Sequence, residues 1–431
     1  MLSKKYCIII FLSVLNLTFI LFGNVNAESN KKEGFKEWTV ICYLAGDNFL
    51  DWFMKENMKE LIKAGSSDNV NVIAFLDTTD DETKIFEVNK DDLVRVPTRI
   101  VNYSWTESEL NTGDPGTFIN YASWAVREYP AKKYFVILGG YGEGWIGLMH
   151  DMNNGQGETD ILSLNELEYG LKAISKEIYA VNGNEKIDVL GLDACYMGML
   201  EVMYQVKDYA DYLVSSENEE ALDGWPYDKL IETIINNPEM DSSLFSTSIV
   251  DTYLDSVKGN PSEMSNVLTL SVVNLELIGE VVKEIDILSS LLLELKSENA
   301  KKLMLVERIT NKFHINAHIA GKYVPYCVLL DLNDFVRSLR VGMVKNRQVS
   351  DLVRRLSKLL SDVITMERHQ MLNGEQDIGI GGISLYFAGM DTNAYRDNSF
   401  SVDTHWDEYI TASRDIGRKI DKNSSYFQTD N

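Results

Sequence analysis

Cysteine is scarce in this sequence, because the 431 residues contain only four. Cys7 lies in an N-terminal segment that we expect to be removed, which leaves Cys42, Cys195 and Cys327. Three thiols in a chain of this length do not make a disulfide framework. Cys42 and Cys327 lie inside apolar runs and are most simply interpreted as small buried hydrophobic residues. Cys195 differs from them because it lies at the boundary of an element.

Basic residues are few in comparison with acidic ones. Lys and Arg number 41 against 65 Asp and Glu, and the formal net charge is −24. Nucleic-acid binding is therefore not expected, because contacts to phosphate need a Lys/Arg surface. The charge fits a soluble acidic protein kept dispersed by repulsion, or a surface that attracts basic substrates. The sequence also contains no sustained internal repeat, heptad array or low-complexity tract.

The N-terminus has the pattern of a secretory signal. Two lysines precede a mostly apolar run at 6–22, and small residues follow up to Ala27. This predicts a signal peptide over residues 1–27 and a secreted, periplasmic or cell-surface protein. An uncleaved membrane anchor is the alternative, although Asn16 and Thr18 interrupt the run. Cleavage removes two lysines and no acidic residue, which lowers the formal charge from −24 to −26.

Apolar, strand-like runs alternate with helical patterns between residues 38 and 215. This alternation predicts a mainly parallel sheet with helices on both faces, an α/β/α sandwich. From about residue 240 the pattern is largely helical, with a strand signal at 382–387 that is a candidate to rejoin the core sheet. We predict a core over 28–240 and a largely helical C-terminal region over 241–431. The central strands are predicted at Trp38–Leu44, Val70–Leu76, Tyr134–Leu138 and Ile187–Leu192.

Cys195 follows the fourth of these strands, in the stretch IDVLGLDACYMG at 187–198. The carboxyl edge of a parallel sheet is where open α/β folds bind ligands. A glycine-rich turn, Gly139–Trp145, ends the preceding central strand. It lies about 50 residues before Cys195, the spacing at which caspase-type proteases place their histidine. We therefore expect the two turns to lie side by side, where a catalytic cysteine would need a base and backbone N–H donors.

The sequence resembles the clostripain family of cysteine peptidases, of the same clan as caspases, legumains and gingipains. The resemblance extends over nearly the whole chain after residue 27, and its most specific part is the DAC-x-MG motif. It implies a caspase-like fold. The matching segments are WTVICYLAGDN at 38–48, NTGDPGTF at 111–118, YFVILGGYGEGW at 134–145, LGLDACYMGMLEV at 190–202, SSENEEALDGWPY at 215–227, ISLYF at 383–387 and WDEYI at 406–410.

The resemblance implies a role for each matching residue of the site. Cys195 takes the position of the nucleophile, and the backbone N–H groups of Cys195 and Gly142 take those of the oxyanion hole. Asp193 matches the aspartate that selects a basic side chain before the cleaved bond, by charge pairing. Asp223 is a candidate second acid of that pocket. In the simpler interpretation, Asp193 caps the end of a strand and Asp223 is a turn residue before Gly224.

One position departs from the family pattern. The family has His-Gly-x-Gly-Trp in the glycine-rich turn, with the histidine as general base, whereas this chain has Tyr141 at that position. A phenol with a pKa of about 10 is a poor proton acceptor at neutral pH. A thiol without assistance, with a pKa of about 8.5, is only a few per cent ionised there. The sequence therefore predicts an incomplete catalytic dyad.

The remaining histidines do not supply an evident substitute. His150 is nearest to Tyr141 in sequence, but we interpret it as a loop residue beside Asp151. His314 and His318 have a helical spacing of four, yet they lack the HExxH pattern and a third ligand. Surface or core histidines are therefore expected, and no metal site. The five histidines are His150, His314, His318, His369 and His405.

The resemblance also has implications for activation by calcium and for self-cleavage. Some family members are activated by Ca²⁺, which makes Ca²⁺ a candidate cofactor, although no EF-hand loop is present in the sequence. Acidic runs such as Asp80-Asp81-Glu82 are usually just solvated. Some relatives cleave themselves at basic residues in the region of loop 151–160. That loop holds no Lys or Arg here, which fits a chain that does not process itself there.

Two functions follow from the sequence. The first is an exported cysteine endopeptidase with a preference for Arg or Lys before the cleaved bond, whose activity is low or lost because Tyr141 replaces the base. The alternative is an inactive pseudopeptidase that binds basic peptides or a partner protein. A purely structural surface protein is a third possibility. The expected partner is a peptide or protein with basic side chains, with neither nucleic acid nor a membrane contact beyond the signal segment.

Overall fold

The computed structural model describes most of the chain after the expected signal segment. The signal peptide expected over 1–27 and Asp80-Asp81 lie outside the described residues, and the loop at 151–160 lies inside them only in part. Within that described part, no helix combines the length and the apolar character needed to cross a membrane. The described residues are 34–79, 82–105, 109–153, 158–258, 266–319, 322–372, 379–389 and 392–414.

The secondary structure alternates between strands and helices as far as residue 215. The strands are β1 (Lys36–Gly46), β2 (Val70–Thr78), β3 (Lys84–Asn89), β4 (Asp92–Val96), β5 (Ala131–Gly139), β6 (Leu148–Asp151), β7 (Asp160–Leu162), β8 (Ile187–Asp193), β9 (Ala210–Ser215), β10 (Val267–Asn274), β11 (Lys312–Ile319), β12 (Lys322–Asp331), β13 (Ile364–Met371) and β14 (Ser384–Gly389). The helices are α1 (Asp51–Ala64), α2 (Thr98–Val101), α3 (Pro115–Glu128), α4 (Leu164–Asn182), α5 (Leu200–Val206), α6 (Tyr227–Asn236), α7 (Ser242–Ser256), α8 (Ile278–Ile309), α9 (Leu332–Gly342), α10 (Arg347–Val363), α11 (Thr392–Tyr395) and α12 (Ser399–Asp403). A further helix covers 406–414.

A nine-stranded sheet forms the centre, in the order β13-β10-β9-β8-β5-β1-β2-β3-β4. The five inner strands, β9 to β2, are parallel to one another. The outer pairs on both sides are antiparallel. This confirms the prediction of a mainly parallel sheet, and it explains why the inner strands are continuous apolar runs, since both of their faces are buried.

The side chains of β1 show how the two faces are covered. Ile41 and Tyr43 belong to one hydrophobic core, and Val40, Cys42 and Leu44 belong to the other. The second core also contains apolar side chains of α1, α6 and α7, whereas the first contains those of α3, α4, α5 and the C-terminal helices α8 to α10. The helices therefore lie on both faces of the sheet, which confirms the α/β/α sandwich.

Two helix starts that precede the site follow the sequence signals. Asp114 caps α3 by accepting a hydrogen bond from the N–H of Gly116. Ser163 and Glu166 form a capping box at the start of α4. The N-cap residue of α1 is Leu50, whose side chain makes no capping hydrogen bond. The chain makes an extra turn there, in which Asn48 Oδ1 accepts from the N–H of Leu50 at 2.8 Å.

The strand expected near 382–387 exists, but it does not join the core sheet. Instead, β14 pairs with β12 in a separate three-stranded sheet of order β11-β12-β14. Its first residue, Ser384, makes an isolated bridge to Met199, where its N–H donates to the carbonyl of Gly198. The later strands that do extend the core sheet are β10 and β13. The domain boundary at residue 240 stays a prediction.

The largely helical pattern predicted after residue 240 is interrupted after Ile309, where α8 ends. Lys312–Ile319 forms β11, in which Phe313 and Ile315 are buried and His314 between them is exposed. This period of two marks a strand. The spacing of four between His314 and His318 is therefore not a helical one, and the side chain of His318 lies outside the described residues.

Glu201, in the first turn of α5, is a buried carboxyl that links this helix to the C-terminal segments. It accepts a hydrogen bond from the N–H of Tyr386 at 2.9 Å and one from the hydroxyl of Tyr395 at 2.8 Å. Burial raises the pKa of Glu201 to about 7, although these hydrogen bonds favour its ionised form. In the unfolded chain a glutamate ionises near pH 4.3.

We expect this carboxyl to make stability depend on pH. The stability that protonated Glu201 contributes to the folded protein is fully present below about pH 4.3. It is lost as the pH rises from there through the folded pKa of about 7. Glu201→Gln removes this loss, so the variant should be more stable than the wild type by about 3 kcal/mol at pH 8 and equally stable near pH 4. Urea unfolding at both pH values measures the difference. A difference of the same size at both would contradict the prediction.

Candidate active site

The two turns singled out in the sequence meet at the carboxyl edge of the sheet. The strands β5 and β8 are parallel neighbours, and their last residues, Gly139 and Asp193, pair directly. The N–H of Gly140 donates to the carbonyl of Asp193 at 3.1 Å, which joins the turns just beyond the strands. The side-by-side arrangement therefore follows from the strand order.

Gly142 lies against the backbone of Cys195 more closely than any other residue type allows. A Cβ atom at Gly142 would lie 2.5 Å from the carbonyl oxygen of Cys195 and 3.2 Å from its nitrogen. The backbone N–H groups of Gly142 and Cys195 donate hydrogen bonds to no described residue. Two adjacent N–H groups of this kind can stabilise a developing oxyanion, which is the function of an oxyanion hole.

The residue after Cys195 adopts an uncommon backbone conformation. Tyr196 has a φ of 63°, in the left-handed region that residues other than glycine seldom adopt. Such a conformation costs about 1–3 kcal/mol and persists only where surrounding contacts hold it. The Tyr196 hydroxyl supplies such contacts, at 2.8 Å from Glu219 Oε1 and 2.9 Å from the carbonyl of His314. The turn therefore presents Cys195 beyond the end of β8, as a nucleophile requires.

The surroundings of the Cys195 thiol disfavour its ionised form. Burial raises its pKa, and the charges of Glu220, Glu219 and Asp193 raise it further. One opposing contact is the N–H of Glu220, which donates to Sγ at 3.4 Å. A reactive cysteine has the reverse environment, in which a nearby cation or base lowers the pKa. The charges that act on the Cys195 thiol are those of carboxylates, which oppose its ionisation.

Tyr141, for which the resemblance predicts the position of a histidine, lies beside this thiol. Its ring packs edge-on against the rings of Phe49 and His150, with centroids 5.3 and 5.0 Å away. Burial, then the nearby carboxylate of Glu143, and then Cys195 raise the pKa of Tyr141 above its usual value. The phenol therefore stays protonated at neutral pH and cannot accept the thiol's proton.

His150 is close to Tyr141, but its partner is Glu143. Its Nε2 lies 3.8 Å from a carboxylate oxygen of Glu143. Burial disfavours the carboxylate of Glu143, yet its interactions with His150, Tyr326 and Tyr141 together outweigh burial and lower its pKa. Among the described residues, no hydrogen bond joins His150 to Cys195. The histidine nearest in sequence to Tyr141 therefore interacts with Glu143.

A small pocket of about 40 Å³ opens beside Cys195. Asp193 lies in its wall, almost fully buried, and its Oδ2 accepts hydrogen bonds from the hydroxyl of Tyr227 at 2.7 Å and the N–H of Trp225 at 3.2 Å. The volume is close to that of one or two water molecules, so a long side chain can enter only if the rim moves. Phe49, on that rim, is 57% exposed.

The second acid of this pocket is Glu220, which the sequence analysis missed. Glu220 is buried beside Asp193, and burial followed by the charge of Asp193 raises its pKa well above the ordinary value. The predicted candidate, Asp223, is exposed and does not line the pocket, although its carbonyl accepts a hydrogen bond from Asn57. The loop SSENEEALDGW contains several acids, and no periodicity indicates which of them points inwards.

A larger cavity of the described part of the chain lies elsewhere. It has a volume of about 430 Å³ and is lined by Trp145, Tyr326 and Tyr386, among others. None of Tyr141, Asp193 and Cys195 borders it. Because the potential nucleophile and the buried acids meet only in the smaller pocket, we take that pocket as the candidate active site.

One group of carboxyls near the site has the composition of a metal site. The oxygens of Asp47, Glu109 and Asp151 lie within 4.8 Å of one another. Asp151 is the residue after His150, and Asp47 directly follows β1. The sequence analysis singled out none of the three as a ligand, because they are far apart in sequence and form no motif.

The clostripain family model matches residues 42–413 of this chain. Clostripain of Hathewaya histolytica is 27% identical over 247 residues, which cover 49% of this chain and 44% of clostripain. The chain thus matches less than half the length of that relative.

Solved structures show the same fold. A secreted C11 cysteine protease from Bacteroides thetaiotaomicron, in complex with an irreversible peptide inhibitor, has a TM-score of 0.60 at 18% identity and covers 86% of this chain and 99% of its own. An inactive zymogen C11 protease from Parabacteroides distasonis has a TM-score of 0.60 at 17% identity. Its alignment covers 86% of this chain and 98% of its own. These similarities confirm the caspase-like architecture. Because the family model matches most of the sequence, the chain belongs to the clostripain family of cysteine proteases.

Proposed function

We propose that this chain is an exported protein that binds peptides through an Arg or Lys side chain and hydrolyses them slowly or not at all. The main support for the proposal is that Tyr141, rather than a histidine, lies beside the Cys195 thiol. Burial and nearby carboxylates raise the pKa of this thiol. The expected export rests on the N-terminal signal pattern at 1–27.

The loss of hydrolysis follows from proton transfer. A cysteine attacks a peptide carbonyl as the thiolate, so the proton has to leave before or during attack. Each unit by which the pKa of Cys195 exceeds the pH lowers the thiolate fraction about tenfold. The N–H groups of Gly142 and Cys195 still offer an oxyanion hole. In enzymes that lose a triad member, such groups and substrate binding leave about 10³–10⁴-fold catalysis over water.

The preference for basic residues rests on the two buried acids. Asp193 and Glu220 line a narrow pocket next to Cys195. An ammonium or guanidinium group there would pair with charges that are largely shielded from water, where charge-assisted hydrogen bonds are strong. The net charge of −24 adds a long-range attraction for basic peptides. A binding role towards a partner protein with an exposed Arg or Lys is the alternative for the same pocket.

The decisive test compares residues 28–431 with the Cys195→Ala variant. We expect both to bind an Arg-terminated peptide with similar affinity in fluorescence anisotropy, because the pocket does not depend on the thiol. We expect both to release little or no fluorophore from Arg- and Lys-terminated fluorogenic peptides. Robust turnover that disappears in Cys195→Ala would overturn the proposed loss of activity, and failure of both proteins to bind basic peptides would overturn the proposed specificity.

A further inference from the structure

The rim of the candidate active site carries an exposed aromatic side chain. Phe49 is 57% exposed, more than any other residue that lines the pocket beside Cys195. It belongs to neither hydrophobic core of the described residues, and its ring contacts that of Tyr141, with centroids 5.3 Å apart. A single exposed apolar side chain is common on protein surfaces and needs no explanation by itself. Phe49 differs because it borders a site for which a ligand is proposed.

The backbone around Phe49 is held in place by the side chain of Asn48. Its Oδ1 accepts a hydrogen bond from the N–H of Leu50 at 2.8 Å, and its Nδ2 donates one to the carbonyl of His150 at 2.8 Å. These bonds fix the turn between β1 and α1 on both sides of Phe49. A ligand that contacts Phe49 therefore does not have to order this turn, and loop ordering is one of the main costs of association.

Phe49 and Tyr141 form an aromatic corner beside the pocket. Their rings stand at 80° to each other, in an edge-to-face arrangement. Leu222, which is half-buried, lines the same pocket from the loop that carries Glu220. The rim thus presents apolar surface next to the buried acids Asp193 and Glu220.

We propose that the aromatic corner, together with Leu222, is a subsite for a large apolar side chain directly next to the Arg or Lys of the bound peptide. In an extended peptide, neighbouring residues are about 3.3 Å apart along the chain. A basic side chain in the pocket therefore places its neighbour at the rim. The occupant belongs to the same peptide, because Phe49 lines the pocket and at the same time forms its exposed edge.

The size of the pocket gives this contact a second consequence. With a volume of about 40 Å³, the pocket admits a long side chain only if the rim moves. Phe49 can turn without disturbing either core, and an apolar neighbour packed against its ring would stabilise the open position. The inference rests on the proposed peptide binding and narrows the class of peptide to a basic residue beside a large apolar one.

The test compares three labelled peptides with a central Arg among glycines. One has Leu directly before the Arg, one has Leu directly after it, and the third has glycine at both positions. Their affinities for residues 28–431 are measured by fluorescence anisotropy. Burial of about half of a Leu side chain corresponds to a gain in affinity of about three- to tenfold. We expect at least one of the two Leu peptides to show this gain over the glycine peptide.

Two variants decide whether Phe49 makes the contact. In Phe49→Ala, the ratio between the affinities for the Leu and glycine peptides should fall to about one. The matched control is Trp52→Ala, because Trp52 is 58% exposed and lies in the first turn of α1 but does not line the pocket. It should leave the ratio unchanged. Both positions are exposed, so both variants should fold, which their melting temperatures verify.

The inference is wrong if neither Leu peptide binds more tightly than the glycine peptide, or if Phe49→Ala keeps the full ratio. Peptides with Gln in place of the Arg separate this inference from the proposed function. Arg peptides that bind without any gain from Leu would support the proposed function and contradict the subsite. A gain that depends on Phe49 but persists with Gln would support the apolar contact and contradict the preference for a basic residue. Absence of binding by every peptide would contradict both.

Discussion

Tyr141→His is expected to create hydrolysis of Arg- and Lys-terminated peptides that depends on Cys195, at least about 10²-fold above the rate of the unmodified protein. General-base catalysis contributes about 10²–10⁴-fold. An imidazole has a pKa of about 6.5, so most of it is unprotonated at pH 7.5 and can accept the thiol's proton. The change supplies the one group that the described site lacks.

The space and the charges around Tyr141 can accommodate a histidine at this position. The tyrosine ring lies between contacts with Phe49 and His150, and a smaller imidazole fits where a phenol does. Glu143 is close to the tyrosine and can orient and stabilise an imidazolium, as carboxylates do for catalytic histidines. Gly142, one residue on, keeps its close approach to Cys195. The rate should rise with pH through the pKa of the new histidine, since the base has to be unprotonated.

Two variants control the interpretation. Tyr141→Phe removes only the hydroxyl, so we expect it to remain as inactive as the wild type. Tyr141→His combined with Cys195→Ala should lose the gained activity completely. Release of fluorophore is measured under the same conditions for all, and binding of an Arg-terminated peptide verifies that each is folded. A Tyr141→His protein that binds the peptide without turnover would contradict the proposal that Tyr141 limits hydrolysis.

The sequence predicted the features of the fold that depend on local pattern. Apolar runs with both faces buried identified the inner strands, and the alternation of strands and helices fixed a parallel order that joins Gly139 to Asp193. The motif around Cys195 identified the family. The pattern did not predict which distant segments of the chain pair with each other. The short strand Ser384–Gly389 has the same apolar character whether it pairs with β12 or with the core sheet.

The sequence also did not predict in which direction the individual side chains of a loop point. Glu220 and Asp223 lie in one acidic loop without periodicity, and only the folded chain turns the first towards Asp193 and the second towards solvent. The group of Asp47, Glu109 and Asp151 arises because strand order and the end of β6 bring remote residues together. His150 was identified as the nearest histidine, but its pairing with Glu143 is a tertiary contact.

Asp193→Asn is expected to weaken binding of Arg- or Lys-terminated peptides by about 30-fold to several thousand-fold. Removing one partner of a buried, hydrogen-bonded charge pair costs about 2–5 kcal/mol. Asparagine keeps the size of the side chain and can still accept from Tyr227 and Trp225, so the pocket should keep its shape. The matched control is Asp223→Asn, in the same loop region but exposed, which should change affinity by less than about threefold. Equal losses in the two variants would contradict the role of Asp193.

The pH dependence of binding then distinguishes the contribution of Glu220. In the empty pocket, burial and the charge of Asp193 raise the pKa of Glu220, so this carboxyl keeps its proton to higher pH. A bound guanidinium favours the ionised form, and binding therefore releases a proton. Affinity should consequently increase with pH until Glu220 is ionised in the free protein as well.

The Glu220→Gln side chain cannot ionise, so the part of the pH dependence that comes from this carboxyl should disappear. Asp193 should still select the basic side chain. Anisotropy titrations of an Arg-terminated peptide between pH 5 and pH 9 measure both curves, and an unchanged pH dependence in Glu220→Gln would exclude Glu220 as the group that releases the proton.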